Sequence, residues 1–280
     1  MNFHEYVDTN FDWQGRSQYY GSETQASFNF KHQTNGGVGV SHNYERLFEE
    51  EFGPKRQPGR LGQFAGDDNE RSTRRNNIYH FFSSTINKKY SFNYFTVYNW
   101  GAFDLDFGAG PKFPRVSPGA ILAREARAQG LCSTGTPPSI CFARQDPGPG
   151  NQLHFDAGIN YQPTNALRMS LNYTKERLVR RDTKMVVFDD NIFSYHATYQ
   201  FTRFTFARAR VDYDTLAANV RGQFLMGWTP NPGTALYVGY NDDLNRNGFN
   251  PFTGNLEPGF RRNGRTFFVK LSYLYRHSIK

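Results

Sequence analysis

Long apolar runs and cysteine are both scarce in this 280-residue chain. No stretch approaches about eighteen uninterrupted apolar residues, which excludes a transmembrane helix. Cysteine occurs twice, at Cys132 and Cys141, within one loop rich in Gly, Pro, Ser and Thr. So close a pair in an otherwise Cys-free chain points to a disulfide in an oxidising compartment, worth on the order of 2–3 kcal/mol through loop closure. Two thiols without a neighbouring His fall short of the four ligands of a structural zinc site. Charged residues are sparse too, at 21%, although the mean hydropathy is −0.72. The opening residues Met1-Asn-Phe-His-Glu-Tyr6 have neither the basic start nor the apolar run that an export leader would show.

Aromatics are abundant: 27 Phe and 17 Tyr help bring the aromatic share to 17%. Bulky rings fit a pleated, half-buried surface, so this composition favours strands. In 267–276 the residues Phe267, Val269, Leu271, Tyr273 and Tyr275 alternate with Phe268, Lys270, Ser272, Leu274 and Arg276. Side chains of a strand alternate faces, so one face here meets an apolar medium and the other water. Segments of about ten residues repeat the pattern, the length of a tilted strand crossing a bilayer. The clearest is 166–176, where Leu167, Met169, Leu171 and Tyr173 alternate with Arg168, Ser170, Asn172 and Thr174. The weakest are 3–13, 37–47 and 76–86, where Glu5 or extra aromatics blur the alternation.

Twelve strands are expected, at about 3–13, 24–34, 37–47, 76–86, 89–100, 152–162, 166–176, 190–201, 204–214, 219–229, 234–244 and 265–276. The prolines fall in connections or at strand ends, as a residue that cannot donate to a ladder must. Compact joins such as Pro163-Thr-Asn-Ala166 alternate with longer connections near 48–75, 101–151, 177–189 and 245–264. Short turns on one rim and long loops on the other are the habit of bacterial barrels. The fold expected is therefore an all-β, antiparallel, up-and-down transmembrane β-barrel, forming one domain over 1–280. Phe3, Val7, Phe11 and Trp13 place the start of the chain inside a strand, so the chain is read as the C-terminal part of a larger barrel, short of its leader.

That fold gives each polar position a direction. His154, Asp156, Arg168, His196, Arg208, Arg210, Asp212 and Lys270 are expected to line the lumen, because an outward Arg or Lys at the bilayer midplane costs about 2–4 kcal/mol. Tyr161, Tyr173, Tyr199, Trp228, Tyr240 and Tyr275 lie near strand ends, where interfacial aromatic girdles form. Arginines and aspartates of 203–221 suit either a salt-bridge ladder or a selectivity ring, and the pattern leaves both open. The loop 101–151 either constricts the lumen or lies over the mouth, with a short helix in 119–129 ended by Gly130.

Other chemistries are weakly served. The formal charge of +8 and pI near 9.4 invite nucleic acid. The charge is scattered, though, with seven Arg or Lys against six acids in 46–77, and no nucleic-acid motif occurs. Outer-membrane lipid and lipopolysaccharide are the partners that a barrel implies, with a periplasmic or surface protein as a further candidate. Asp242, Asp243, Asn245 and Asn247 offer hard oxygens to calcium, yet Leu244 breaks the Asp-x-Asn-x-Asn-Gly frame and no bidentate Glu follows. His154 and His196 have no nucleophile frame beside them, so a hydrogen-bond network is expected rather than catalysis.

Several motifs carry a resemblance. Phe107-Gly-Ala-Gly-Pro-Lys-Phe-Pro-Arg115, Asp146-Pro-Gly-Pro-Gly150, Tyr199-Gln-Phe-Thr-Arg-Phe-Thr-Phe206, Gly227-Trp-Thr-Pro-Asn-Pro-Gly-Thr234, Tyr237-Val-Gly-Tyr-Asn-Asp242 and Arg265-Thr-Phe-Phe-Val-Lys-Leu-Ser-Tyr-Leu274 stand out. From about residue 100 onward the chain resembles the C-terminal barrel of an uncharacterised bacterial family, domain of unknown function 5916. Longer members of that family carry an N-terminal domain similar to family-nine carbohydrate-binding modules. The resemblance implies an outer-membrane location and assigns no catalytic residue. The functional expectation is a pore or transporter component for small solutes, oligosaccharides among them. The alternative is a non-conducting anchor that displays an N-terminal domain. An enzyme is not expected.

Overall fold

The structure, a computed structural model, describes residues 1–31, 33–53, 56–57, 62–133, 139–246 and 259–274. Twelve strands follow one another: β1 (Asn2–Phe11), β2 (Ser17–Phe30), β3 (Thr34–Phe48), β4 (Glu70–Asn87), β5 (Tyr90–Asp104), β6 (Gly148–Tyr161), β7 (Leu167–Arg180), β8 (Val186–Gln200), β9 (Thr205–Asp214), β10 (Asn219–Asn231), β11 (Thr234–Arg246) and β12 (Phe260–Tyr273). One sheet holds them in sequence order, each antiparallel to the next. This is the expected all-β, up-and-down barrel architecture. It is open: among the described residues no pairing joins β1 to β12, and both strands are exposed along their length.

The strands are longer than a bilayer requires, reaching 18 residues in β4. The excess lies on the long-loop rim, where polar residues occupy both faces and alternation no longer marks a strand. Lys175 and Arg177 project from the otherwise apolar face of β7 and meet Asp189 of β8 at 2.7 and 3.6 Å. The connection expected over 177–189 therefore shrinks to residues 181–185, because β7 and β8 continue as a ladder through Arg177↔Asp189 and Val179↔Val186. Proline also comes closer to the ladder than expected. Pro149 is the second residue of β6, and Pro230 lies within β10 where the register breaks between Trp228 and Asn231. Strand starts and irregularities are where a missing N–H is tolerated.

Register fixes the two faces. Leu171 and Ile159 pair across β6 and β7, and Val211 sits opposite Tyr195 across β8 and β9. These side chains are 39–53% exposed, so they fill no internal core. The same face carries aromatic pairs near both rims: Tyr90 with Tyr161 at 4.7 Å toward the short turns, and Tyr98 with Trp100 at 4.9 Å and Tyr173 with Phe193 at 4.8 Å toward the long loops. Tyr199, Trp228 and Tyr240 share that face, while Tyr275 lies outside the described residues. Near the open edge the apolar face is interrupted, since Glu5 of β1 pairs with Thr24 and Val7 with Ser22.

The compact apolar core sits on the long-loop rim, away from the middle of the sheet. Ala102, Val116, Leu178 and Val187 pack together with Phe188. Helix α1 (Pro118–Ala128) follows Val116 and packs on the segment 139–141, with Ser117 accepting the Ala120 N–H as its N-cap and Pro at the first turn. It buries Ala120, Ala123 and Ala126, three small residues that let it sit close. Cys132 and Cys141 form the expected disulfide. The connection 105–147 thus packs on the rim.

Candidate functional site

The polar face of the sheet carries the eight lumen candidates together. His154 and Asp156 lie on β6; Arg168 faces Thr198, which faces Arg208; His196 faces Arg210; and Asp212 faces Ser194 and Arg221. Lys270 follows on β12 opposite Tyr237. All share one side of the pleat.

They divide into two neighbourhoods. Toward the long loops a hydrogen-bonded chain crosses β4 to β7. Arg75 Nε donates to Asn99 Oδ1 at 3.3 Å, Asn99 Nδ2 to Gln152 Oε1 at 3.4 Å, and Gln152 Nε2 to Glu176 Oε2 at 3.2 Å. The His154 ring lies between Glu176 and Asp156, one nitrogen facing each carboxylate, and Thr174 Oγ1 donates to Asp156 at 2.5 Å. Two acceptors flanking one imidazole are both satisfied when both ring nitrogens carry protons. Sequence reasoning expected His154 in such a network but missed Glu176, Gln152, Asn99 and Arg75. An equal count back from the tight turn at 162–166 would set Thr174 opposite His154; the register Tyr161↔Met169 is offset by two residues and sets Glu176 there instead.

His196 is elsewhere. It stands on β8, two strands from His154, between Ser170 and Arg210. The two histidines are not brought together.

Toward the short turns the face becomes basic. On β7, Arg168 is near the turn and Glu176 near the loops; on β9, Arg208 and Arg210 precede Asp212 and Asp214. Arg210 Nε donates to Asp212 Oδ2 at 2.6 Å, and Arg221 approaches Asp243 at 3.7 Å. Among the described residues Arg168 and Arg208 have no ion-pair partner, so the salt-bridge ladder is only partial. A depression of about 400 Å³ opens here, lined by His196, Arg208, Arg210, Gln223, Leu225 and Phe268 among others.

The proposed calcium ligands do not assemble. Asp242 and Asp243 are neighbours on a strand, so their side chains leave opposite faces. Asp242 accepts from Tyr240 Oη at 2.9 Å and Arg262 Nε at 2.8 Å, whereas Asp243 and Asn245 accept from Asn219 Nδ2 on the polar face. Asn247 lies outside the described residues. Among those described, no cluster of three His, Cys, Asp or Glu is arranged for a metal.

The rim has its own charged centre, which the sequence did not reveal. Arg180, 1% exposed, donates Nη1 to Asp104 Oδ2 at 3.0 Å and to the Asp146 carbonyl at 2.8 Å, and Nε to Asp182 at 2.8 Å. Burial pushes the Asp104 carboxyl up from its ordinary value, against the opposing Asp106 N–H and Arg180. Beside it Arg115 Nη2 donates to the buried Asp106 at 2.6 Å. In the 49–69 connection Glu49 accepts from Phe64 N–H at 2.7 Å and from Arg56 at 3.0 and 3.1 Å. The Arg56 hydrogen bonds hold the Glu49 carboxyl below its usual range. The Arg180 contacts fasten the 105–147 connection to the ends of β5 and β7, while the Glu49 contacts hold the 49–69 connection together internally.

No family model and no curated protein matches this chain. Among solved structures it is similar to the P. putida toluene transporter TodX, at 13% identity and a TM-score of 0.30, covering 86% of this chain and 72% of that one. A Pseudomonas aeruginosa FadL homologue is 11% identical with a TM-score of 0.33, covering 97% and 74%. The TodX deltaS2S3 mutant, a monoaromatic hydrocarbon channel, is 11% identical with a TM-score of 0.32, covering 98% and 79%. Likenesses this loose carry no weight for solute or mechanism.

Proposed function

We propose that this chain forms the wall of an outer-membrane β-barrel that conducts small solutes along its polar face. One observation carries the reading: a sheet with an exposed apolar face bounded by aromatic belts, and a polar opposite face. In water so large a contiguous apolar surface marks a membrane or binding surface. In lipid the same face is solvated and the polar face becomes the lumen. The rival anchor role calls for a lumen filled by side chains or by the 101–151 loop. That loop packs instead on the rim, through Val116 against Ala102 and Leu178, which favours conduction. Polar side chains of the His154 network, with Arg168 and Arg208 unpaired among the described residues, suit a wet path for polar or charged solutes. Oligosaccharides fall in this class only as one candidate.

Closure is the physical demand that the proposal makes. Unpaired backbone groups cost several kcal/mol each in hydrocarbon, so the β1 and β12 edges must be covered once in the bilayer. The test is ion current through planar bilayers containing the purified chain. Stepwise conductance is expected; bilayers that take up the protein and stay electrically silent support the anchor instead.

A further inference from the structure

The geometry points to a binding site for a small organic anion with an apolar group, on the short-turn half of the polar face between β7 and β12. It rests on the reading of that face as a solvated lumen and adds a ligand class to it. Arg168 and Arg208 flank Thr198 in register, one strand to either side. Their backbones are thus about 10 Å apart, within reach of two extended Arg side chains closing on one anion. Neither has an ion-pair partner among the described residues, although Arg210 beside them does. The Arg208 guanidinium lies 4.7 Å from the centroid of the Phe206 ring, which leaves its edge donors free.

An apolar platform adjoins this cationic pair. Gly227 and Gly239 are small for a reason: a Cβ at Gly227 would fall 2.4 Å from the Phe206 ring, and one at Gly239 2.2 Å from the Phe268 ring. The two glycines let both aromatic rings lie down over the sheet. Leu225 sits between them in register, opposite Arg208 on one side and Gly239 on the other. The depression of about 400 Å³ joins Phe268 and Leu225 to Arg208, Arg210, His196, Gln223 and Asn241. Such a volume holds a ring or short alkyl group on the aromatic floor, with a carboxylate or sulfonate turned to the arginines. Bare inorganic anions would use the charge and waste the floor; neutral aromatics would use the floor and leave the arginines unanswered.

Equilibrium dialysis of the full chain in detergent micelles tests this at low salt, with radiolabelled benzoate as the probe. Saturable benzoate binding is expected, weakened at least about tenfold by Arg208→Gln and by Arg168→Gln. Benzyl alcohol and acetate should each bind at least about tenfold more weakly than benzoate. Far-ultraviolet circular dichroism confirms that the variants keep their strands. Equal binding of benzoate and benzyl alcohol, equal binding of benzoate and acetate, or full benzoate binding by both variants overturns the site. The current measurement is independent of dialysis. A chain that binds benzoate without conducting keeps the site and loses the pore; a chain that conducts without binding benzoate keeps the pore and loses the site.

Discussion

Arg180→Ala should detach the rim from the sheet. The side chain is 1% exposed and holds Asp104, whose own side chain is 4% exposed, at 3.0 Å. Removing the guanidinium leaves that carboxylate buried without a counter-charge, a change that costs about 3–5 kcal/mol. Asp182 and Asp146, 44% and 26% exposed, can turn to water and add little. The loss falls on the contact between β7 and the 105–147 connection, so local opening there should rise about a hundredfold or more, at roughly 1.4 kcal/mol per tenfold. Limited trypsin cleavage after Arg124 and Arg127, read against cleavage elsewhere, measures that opening. Pairing Asp104→Asn with Arg180→Met removes both charges and should recover much of the protection. Cleavage rates in Arg180→Ala equal to those of the parent chain would refute the reasoning.

Other expectations follow from the same geometry. Replacing both Cys132 and Cys141 by Ser should loosen the 105–147 connection by on the order of 2–3 kcal/mol, seen as faster amide exchange in α1 with the strands unaffected. Glu49 has a lowered carboxyl, so its support of the 49–69 connection is complete above about its ordinary 4.5 and fades as pH falls through the lowered value. Exchange of the Phe64 amide, which donates to Glu49, should accelerate over that acidic range in the parent and lose the dependence in Glu49→Gln. Leu171→Arg should cost about 2–4 kcal/mol on refolding into lipid vesicles, whereas Asn172→Arg on the polar face should be nearly neutral; similar costs at both positions contradict the face assignment.

The strands were legible because lipid and water impose a period of two that no other constraint disturbs in the middle of the sheet. Leu167 to Thr174 shows it cleanly, and each of the twelve strands overlaps the segment that alternation marks, although β2 lies at Ser17–Phe30 rather than 24–34. Their ends were not legible. Past Tyr173 and Phe193 the outer face turns polar, so Arg177 and Asp189 read as loop while they continue the ladder. The eight polar-face residues were recoverable from parity alone. What joins them was not, since the partners of His154 depend on register between strands, and Arg180 gathers acids from β5, from the 105–147 connection and from the turn after β7. The calcium reading counted oxygens along a segment as if it were a turn; on a strand, neighbours such as Asp242 and Asp243 part to opposite faces.

Residues 169–174 decide the central claim. Single nitroxide labels placed along this stretch of β7 in lipid vesicles report contact with dissolved oxygen, which concentrates in hydrocarbon, and with a water-soluble nickel chelate. Alternating exposure is expected, with oxygen favoured at 169, 171 and 173 and nickel favoured at 170, 172 and 174. Uniform exposure to nickel along the stretch, or oxygen favoured at the even positions, would contradict a wall with lipid outside and water within.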